Sequence, residues 1–210
     1  MMRKRTQVRE PRTDAEGERT MKKDFNGKIT RGTQRTLDAF FDATMALLQV
    51  KSFADISVNE LCEHAGYPRA TFYNYFEDRD DLLTYCWTAL SRQAELADLA
   101  STEPEHRIDI ALDAMADLLE SNTEPLSAIL KNNPPESAMF ASLHMFIERQ
   151  AHEIIRTCID RDRFDLPADL IADHYANTVL LVLDWTYLRG HPLTREQLHD
   201  YMHTLLRGVE

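Results

Sequence analysis

The chain has 210 residues, 43% of them hydrophobic, and a formal charge of −11 at neutral pH. That length buries a substantial core without disulfides, and no apolar run approaches the ~20 residues that span a bilayer. Met1 to Lys23 lacks the apolar middle of a signal peptide, and Cys62, Cys86 and Cys158 form no C-x-x-C pair, so the expectation is a cytoplasmic protein with reduced thiols.

Net charge taken alone argues against a nucleic-acid partner, but its distribution does not. Residues 1–36 hold eleven Lys and Arg against five Asp and Glu, whereas residues 81–210 hold ten against twenty-two. A polyanion docks where the local field is positive, whatever the sign of the whole molecule. Residues 1–27 read as a basic arm, too poor in apolar side chains to order itself. It is either a solvated tail or a segment that adds phosphate attachment by counterion release.

From Thr33 to Val50 the apolar residues Leu37, Phe40, Phe41, Leu47 and Leu48 follow the helical period, with Thr44 on the same side and Asp38 and Asp42 opposite. Phe53 and Ile56 then close the bottom of a small core. Ser57 with Glu60 forms an S-x-x-E capping box that starts a short helix, in which Val58, Leu61, Cys62 and Ala65 line one face and Gly66 ends it. Pro68 suits the first turn of a second short helix reaching Tyr75, with Phe72 and Phe76 as its buried stripe. Its remaining residues, Arg69, Ala70, Thr71, Tyr73, Asn74 and Tyr75, present hydroxyls, an amide and a guanidinium but no carboxylate. That is a surface for a phosphate-lined groove.

The run AGYPRATFYNYFEDRDDLL resembles the DNA-binding signature of the tetracycline-repressor (TetR) family. Gly66, Thr71, Phe72, Tyr73, Tyr75, Phe76, Arg79, Asp80, Leu82 and Leu83 sit on positions of that pattern, while Tyr67 and Pro68 depart from it. The resemblance covers about residues 30 to 90. It implies a ligand-responsive transcription regulator, a repressor in the simplest case, that binds a palindromic operator as a homodimer and is released by a small-molecule effector. Two alternatives are a protein of the same fold acting as a coactivator without its own operator binding, and a metal-responsive regulator.

Asp78 caps a long helix from Arg79 through Leu83, Cys86, Trp87, Leu90, Ala94 and Ala97. Thr102 and Glu105 make a second capping box before a helix with Ile108, Leu112, Met115 and Leu119; Pro125 opens a short helix that stops at Asn132-Asn133-Pro134-Pro135. A helix over residues 136–159 carries Met139, Phe140, Leu143, Phe146, Ile147, Ile154 and Ile155, and another from Pro167 to Arg189 is apolar around most of its circumference. Thr194 with Gln197 caps the last helix. With no strand pattern, the chain reads all-α with about nine helices: an N-terminal three-helix helix-turn-helix DNA-binding domain (28–77) and a C-terminal helical ligand-binding and dimerisation domain (78–210).

Residue chemistry and the resemblance together assign roles. Arg69 is the candidate for bidentate guanine readout, Ala70 and Thr71 for thymine methyl contacts, and Asn74 for adenine. Tyr73, Tyr75, Arg79, Ser57 and Asn59 match the family's backbone-contact positions. Candidate effector-lining residues are Trp87, Met115, Met139, Phe140, Met145, Phe146 and Tyr175, each of which is equally a core residue by type. The dimer hairpin implied by the resemblance would use Tyr175, Thr178, Val182, Trp185, Leu198, Tyr201, Met202 and Leu205. His144, Glu148 and His152 on one helix, and His199 with His203 on the last, have ligand spacing, but neither set alone is assigned a metal. No cofactor is expected, and no motif of an enzyme is present.

Overall fold

A computed structural model describes residues 30–93, 103, 106–158 and 166–207, with the side chains of 151 and 153–158 excepted. Nine α-helices and no strand occur among these residues: α1 (Arg31–Leu48), α2 (Val58–Ala65), α3 (Arg69–Tyr75), α4 (Arg79–Gln93), α5 (Arg107–Ser121), α6 (Thr123–Asn132), α7 (Ala138–Cys158), α8 (Ala168–Leu183) and α9 (Arg195–Leu206). A 3-10 turn, Phe53–Asp55, joins α1 to α2. The expected basic arm, Ala94, Ala97 and the Thr102–Glu105 capping box lie outside the described residues.

The capping signals act where the chain places them. The Ser57 hydroxyl accepts from the Glu60 amide at the start of α2 while the Glu60 carboxylate accepts from the Ser57 amide, and Thr194 and Gln197 do the same for α9. Asp78 Oδ1 accepts from the Asp81 amide at 2.9 Å at the head of α4. Pro68 sits at the N-cap of α3 in extended backbone, one position before the first turn expected for it.

The first core gathers Leu37, Phe40 and Leu47 of α1, Leu61 of α2, Phe72 of α3, Phe76, and Leu82, Leu83 and Cys86 of α4. Phe40 is its centre, meeting Phe72 and Phe76 edge-on at 5.5 and 5.9 Å between ring centroids. Met139, Phe140 and Phe146 of α7 belong to the same cluster. The helix-turn-helix unit is therefore built onto the body through one continuous core, with α4 shared between them. A second core joins Leu112 and Ala116 of α5, Val182 and Leu183 of α8, and Leu198, Met202 and Leu206 of α9.

At its C-terminal end α8 widens into one π turn, Asp184–Leu188, where the Arg189 amide donates to Asp184 O at 2.9 Å. The indole of Trp185 stacks on His191 at 3.8 Å beyond the turn. Gly190, with φ of 72°, makes the reversal into α9.

Candidate DNA interface and its links to the body

The α2–α3 turn follows from one glycine. Gly66 adopts φ 71° and ψ 26°, a left-handed conformation that costs other residues about 1 kcal/mol or more, and the amides of Gly66 and Tyr67 return to the last carbonyls of α2. With the turn set, burying Phe72 and Phe76 leaves the opposite side of α3 outward. Arg69, Ala70, Tyr73 and Asn74 are exposed there, and Thr71 and Tyr75 are half-buried at its margins. Ser57 and Asn59 stand exposed at the head of α2.

These side chains are linked before any ligand arrives. Arg69 donates from Nη1 to Asn59 Oδ1 at 2.9 Å and from Nη2 to the Tyr73 hydroxyl at 3.0 Å. Its guanidinium carbon lies 5.6 Å from the Tyr73 ring centroid. An arginine held on a shelf of this kind has lost part of its rotamer freedom already, which lowers the entropy cost of engaging a base or phosphate. No residue of α3 itself is a carboxylate, so the outward side of that helix adds no negative charge of its own.

Arg79 has a different setting from the one its motif position suggests. Its Nη1 donates to the carbonyls of Phe53 (3.1 Å), Ala54 (2.8 Å) and Ile56 (2.7 Å), and the guanidinium lies 5.1 Å from the Phe53 ring centroid. Three carbonyls therefore compete for the two protons of that nitrogen. Through Nη1, Arg79 ties the head of α4 to the α1–α2 connection, beside the phosphate role expected for it.

That connection is held from the other side by α6. Asn133, fully buried, accepts from the Phe53 amide at 2.7 Å, and its Nδ2 lies 3.1 Å from Leu48 O, 3.3 Å from Lys51 O and 3.2 Å from Ile129 O. Asn132 Nδ2 donates to Gln49 O at 2.8 Å. The pair that reads in the sequence as a helix stop is thus a hook from the body onto the reading head. The partners at Leu48, Gln49, Lys51 and Phe53 lie some eighty positions away in the chain, beyond any spacing rule.

The expected effector-lining residues separate. Trp87, Met139, Phe140 and Phe146 are buried in the first core, where the Trp87 indole donates to Ser142 Oγ at 3.1 Å. Met115 and Tyr175 pack against the second core, and Met145 is 59% exposed. Six of the seven are thus divided between the two cores, four in the first and two beside the second.

The eight residues expected at a dimer interface divide between the subunit's inside and its surface. Thr178, Val182, Leu198 and Met202 are buried within the subunit, and Tyr175 packs against the same core. The apolar side chains left outward on α8 and α9 are Leu170, Leu181, Trp185, Tyr201 and Leu205, 41–53% exposed. Trp185, Tyr201 and Leu205 of the expected set are among these; the other five face inward, because a helix apolar on both sides does not declare which side faces the core.

Of the two histidine sets, the first is taken apart. His144 is exposed, and His152 turns to α8, with Nε2 at 2.6 Å from Asp173 Oδ1 and Nδ1 at 3.3 Å from Asp169 Oδ1. His199 and His203 instead meet Asp109 of α5.

A short α2–tight turn–α3 unit with an exposed polar second helix, mounted on an all-α body, is the helix-turn-helix architecture. The family model for bacterial regulatory proteins, tetR family, matches residues 40–86, the stretch that holds the second half of α1, all of α2 and α3, and the head of α4. Among solved structures it is similar to a TetR-family regulator from Streptomyces coelicolor (14% identity, TM-score 0.62, covering 87% of this chain and 99% of that one). A TetR-family transcriptional regulator from Syntrophomonas wolfei is similar at 19% identity and TM-score 0.60 over 84% of this chain and 95% of that one. One from Streptococcus agalactiae is similar at 20% and 0.54 over 82% and 94%. At these identities the likeness concerns the fold. No curated protein matches the sequence. No helix among the described residues is long and apolar enough to cross a membrane.

Proposed function

We propose that this chain is a ligand-responsive repressor that binds a palindromic operator as a homodimer and is released by a small-molecule effector, acting in the cytoplasm. The observation that supports the reading is the hydrogen-bonded shelf of Asn59, Arg69 and Tyr73 on a reading head hooked to the body by Asn132 and Asn133. In this account residues 28–77 read DNA and residues 78–210 bind the effector and the partner copy. Arg69 reads a guanine; Ala70, Thr71 and Asn74 contact neighbouring bases; Ser57, Asn59, Tyr73 and Tyr75 hold phosphates. Two reading heads related by a two-fold axis enter successive major grooves one helical turn apart.

Release is a population shift. DNA favours one spacing of the two heads and effector favours another, and α4, the Arg79 tie and the α6 hook carry the difference. The coupling is reciprocal, so operator DNA weakens effector affinity by the factor that effector weakens DNA affinity. Footprinting on DNA flanking the coding region tests the reading: a protected palindrome is expected. Arg69→Ala is expected to cost about 1–3 kcal/mol at one base pair in each half-site and to relax preference there. A variant as selective as the parent would remove Arg69 from base readout, and a parent protein that protects no palindrome would leave the coactivator reading.

A further inference from the structure

The pair His199 and His203, one turn apart on α9, acquires its third member from α5. Asp109 Oδ1 lies 3.0 Å from His199 Nδ1 and 2.9 Å from His203 Nε2, so one carboxylate oxygen sits between two imidazole nitrogens. One ligand atom from each of the three residues falls within 4.8 Å of the others. The second nitrogen of His199 has its own partner: Nε2 is 2.8 Å from Asp113 Oδ1, one turn further along α5. Asp113 is itself held, since Arg195 Nη1 donates to its backbone carbonyl at 3.0 Å and lies 3.4 Å from Oδ1.

This is the arrangement in which a carboxylate accepts from one imidazole nitrogen, fixes the tautomer and directs the lone pair of the other toward a metal. Ligands at about 2.0–2.2 Å in a tetrahedral zinc site stand about 3.3–3.5 Å apart; the two Asp109–histidine spacings open by a few tenths of an ångström to reach that, and the two histidine nitrogens, within 4.8 Å of each other, adjust about the ion by side-chain rotation. Two imidazoles with one carboxylate suit a borderline ion such as zinc in preference to magnesium or calcium, which take oxygen sets. His203 is half-exposed, which provides an entry path and leaves a fourth position to water.

We propose that Asp109, His199 and His203 form a zinc-class divalent metal site that staples α5 to α9, with Asp113 as the positioning residue for His199. The site lies over the second core, where α5 and α9 pack together with α8. A bound ion would therefore stiffen the contact between the body and the helix pair bearing the exposed apolar face. The proposal is independent of which operator or effector the protein recognises, because metal binding is read without either.

The test is zinc titration of metal-free full-length protein by calorimetry, with cobalt substitution followed by visible absorption. One ion per chain is expected, with the strong cobalt bands of a tetrahedral site. His203→Ala removes a ligand at a half-exposed position, so the variant keeps its fold and is expected to lose affinity by more than about 100-fold. Asp113→Asn keeps all three ligands and is expected to weaken binding by about 10–100-fold, the usual effect of removing a histidine's carboxylate partner. His144→Gln, on α7, should bind as the parent does. Equal zinc affinity in the parent and His203→Ala, or no binding by the parent, would overturn the proposal and leave His199 as an imidazolium paired with two carboxylates.

Discussion

Asn133 concentrates more of the architecture than any other single side chain. Its amide answers one buried N–H and approaches three carbonyls, one at the end of α1 and one on the α1–α2 connection. Leaving such buried groups unpaired costs about 1–3 kcal/mol each, so Asn133→Ala is expected to destabilise the protein by roughly 2–4 kcal/mol, read as a lower urea midpoint. Asn133→Asp is expected to be at least as damaging, since it sets a carboxylate against carbonyl oxygens. An unchanged midpoint in both would show that the hook contributes nothing. Cys86 illustrates a different consequence of burial: desolvation pushes its thiol up to about 12, against a small opposing hydrogen bond to Thr44. Native protein should therefore leave Cys86 unmodified by an alkylating reagent under conditions that label it fully after denaturation, as peptide mass mapping would show.

Among the elements, α2 depends on the charge of its cap. The hydrogen bond to Lys51, followed by those from the backbone and side chain of Ser57, holds the Glu60 carboxyl down at about 2 from 4.5. A depressed carboxyl stabilises the fold above its unfolded value and loses that contribution as pH falls through the folded one. Stability measured by thermal melts should thus decline between pH 4.5 and 2. In Glu60→Gln, which keeps a capping side chain without the charge, that part of the decline should be absent; parallel curves would assign the acid sensitivity elsewhere. The turn after α2 has its own test. A Cβ on Gly66 would meet no atom within 4 Å, so Gly66→Ala is expected to cost about 1 kcal/mol through backbone conformation alone, and Gly66→Asn less. Caps and turns of this kind were legible in the sequence because their partners lie within four residues. The inner and outer sides of α8 were not, because Thr178 and Val182 on one side and Leu181 and Trp185 on the other satisfy the same period.

The molecule as a whole joins two cores through α4, α7 and α8 and leaves an apolar face on α8 and α9. Exposed apolar side chains on two neighbouring helices are the chemistry of a covered face, and a second copy matches the homodimer proposed above. Leu181→Glu is expected to shift the protein from dimer to monomer in sedimentation while leaving its melting curve close to the parent's at low concentration. Leu198→Ala, at a position 1% exposed, should do the reverse: cost about 2–5 kcal/mol of stability and leave assembly intact in the folded fraction. Equal effects from the two would place the interface elsewhere. Helix positions, capping boxes, the left-handed glycine and the carboxylate-free face of α3 all follow from near neighbours in the chain, since backbone hydrogen bonding and side-chain periodicity act over one or two turns. The Asn133 hook, the capture of Arg79 by loop carbonyls, the meeting of Asp109 with His199 and the inward side of α8 depend on segments up to ninety positions apart. Packing of whole helices brings those together, and no local pattern encodes which far segment will arrive.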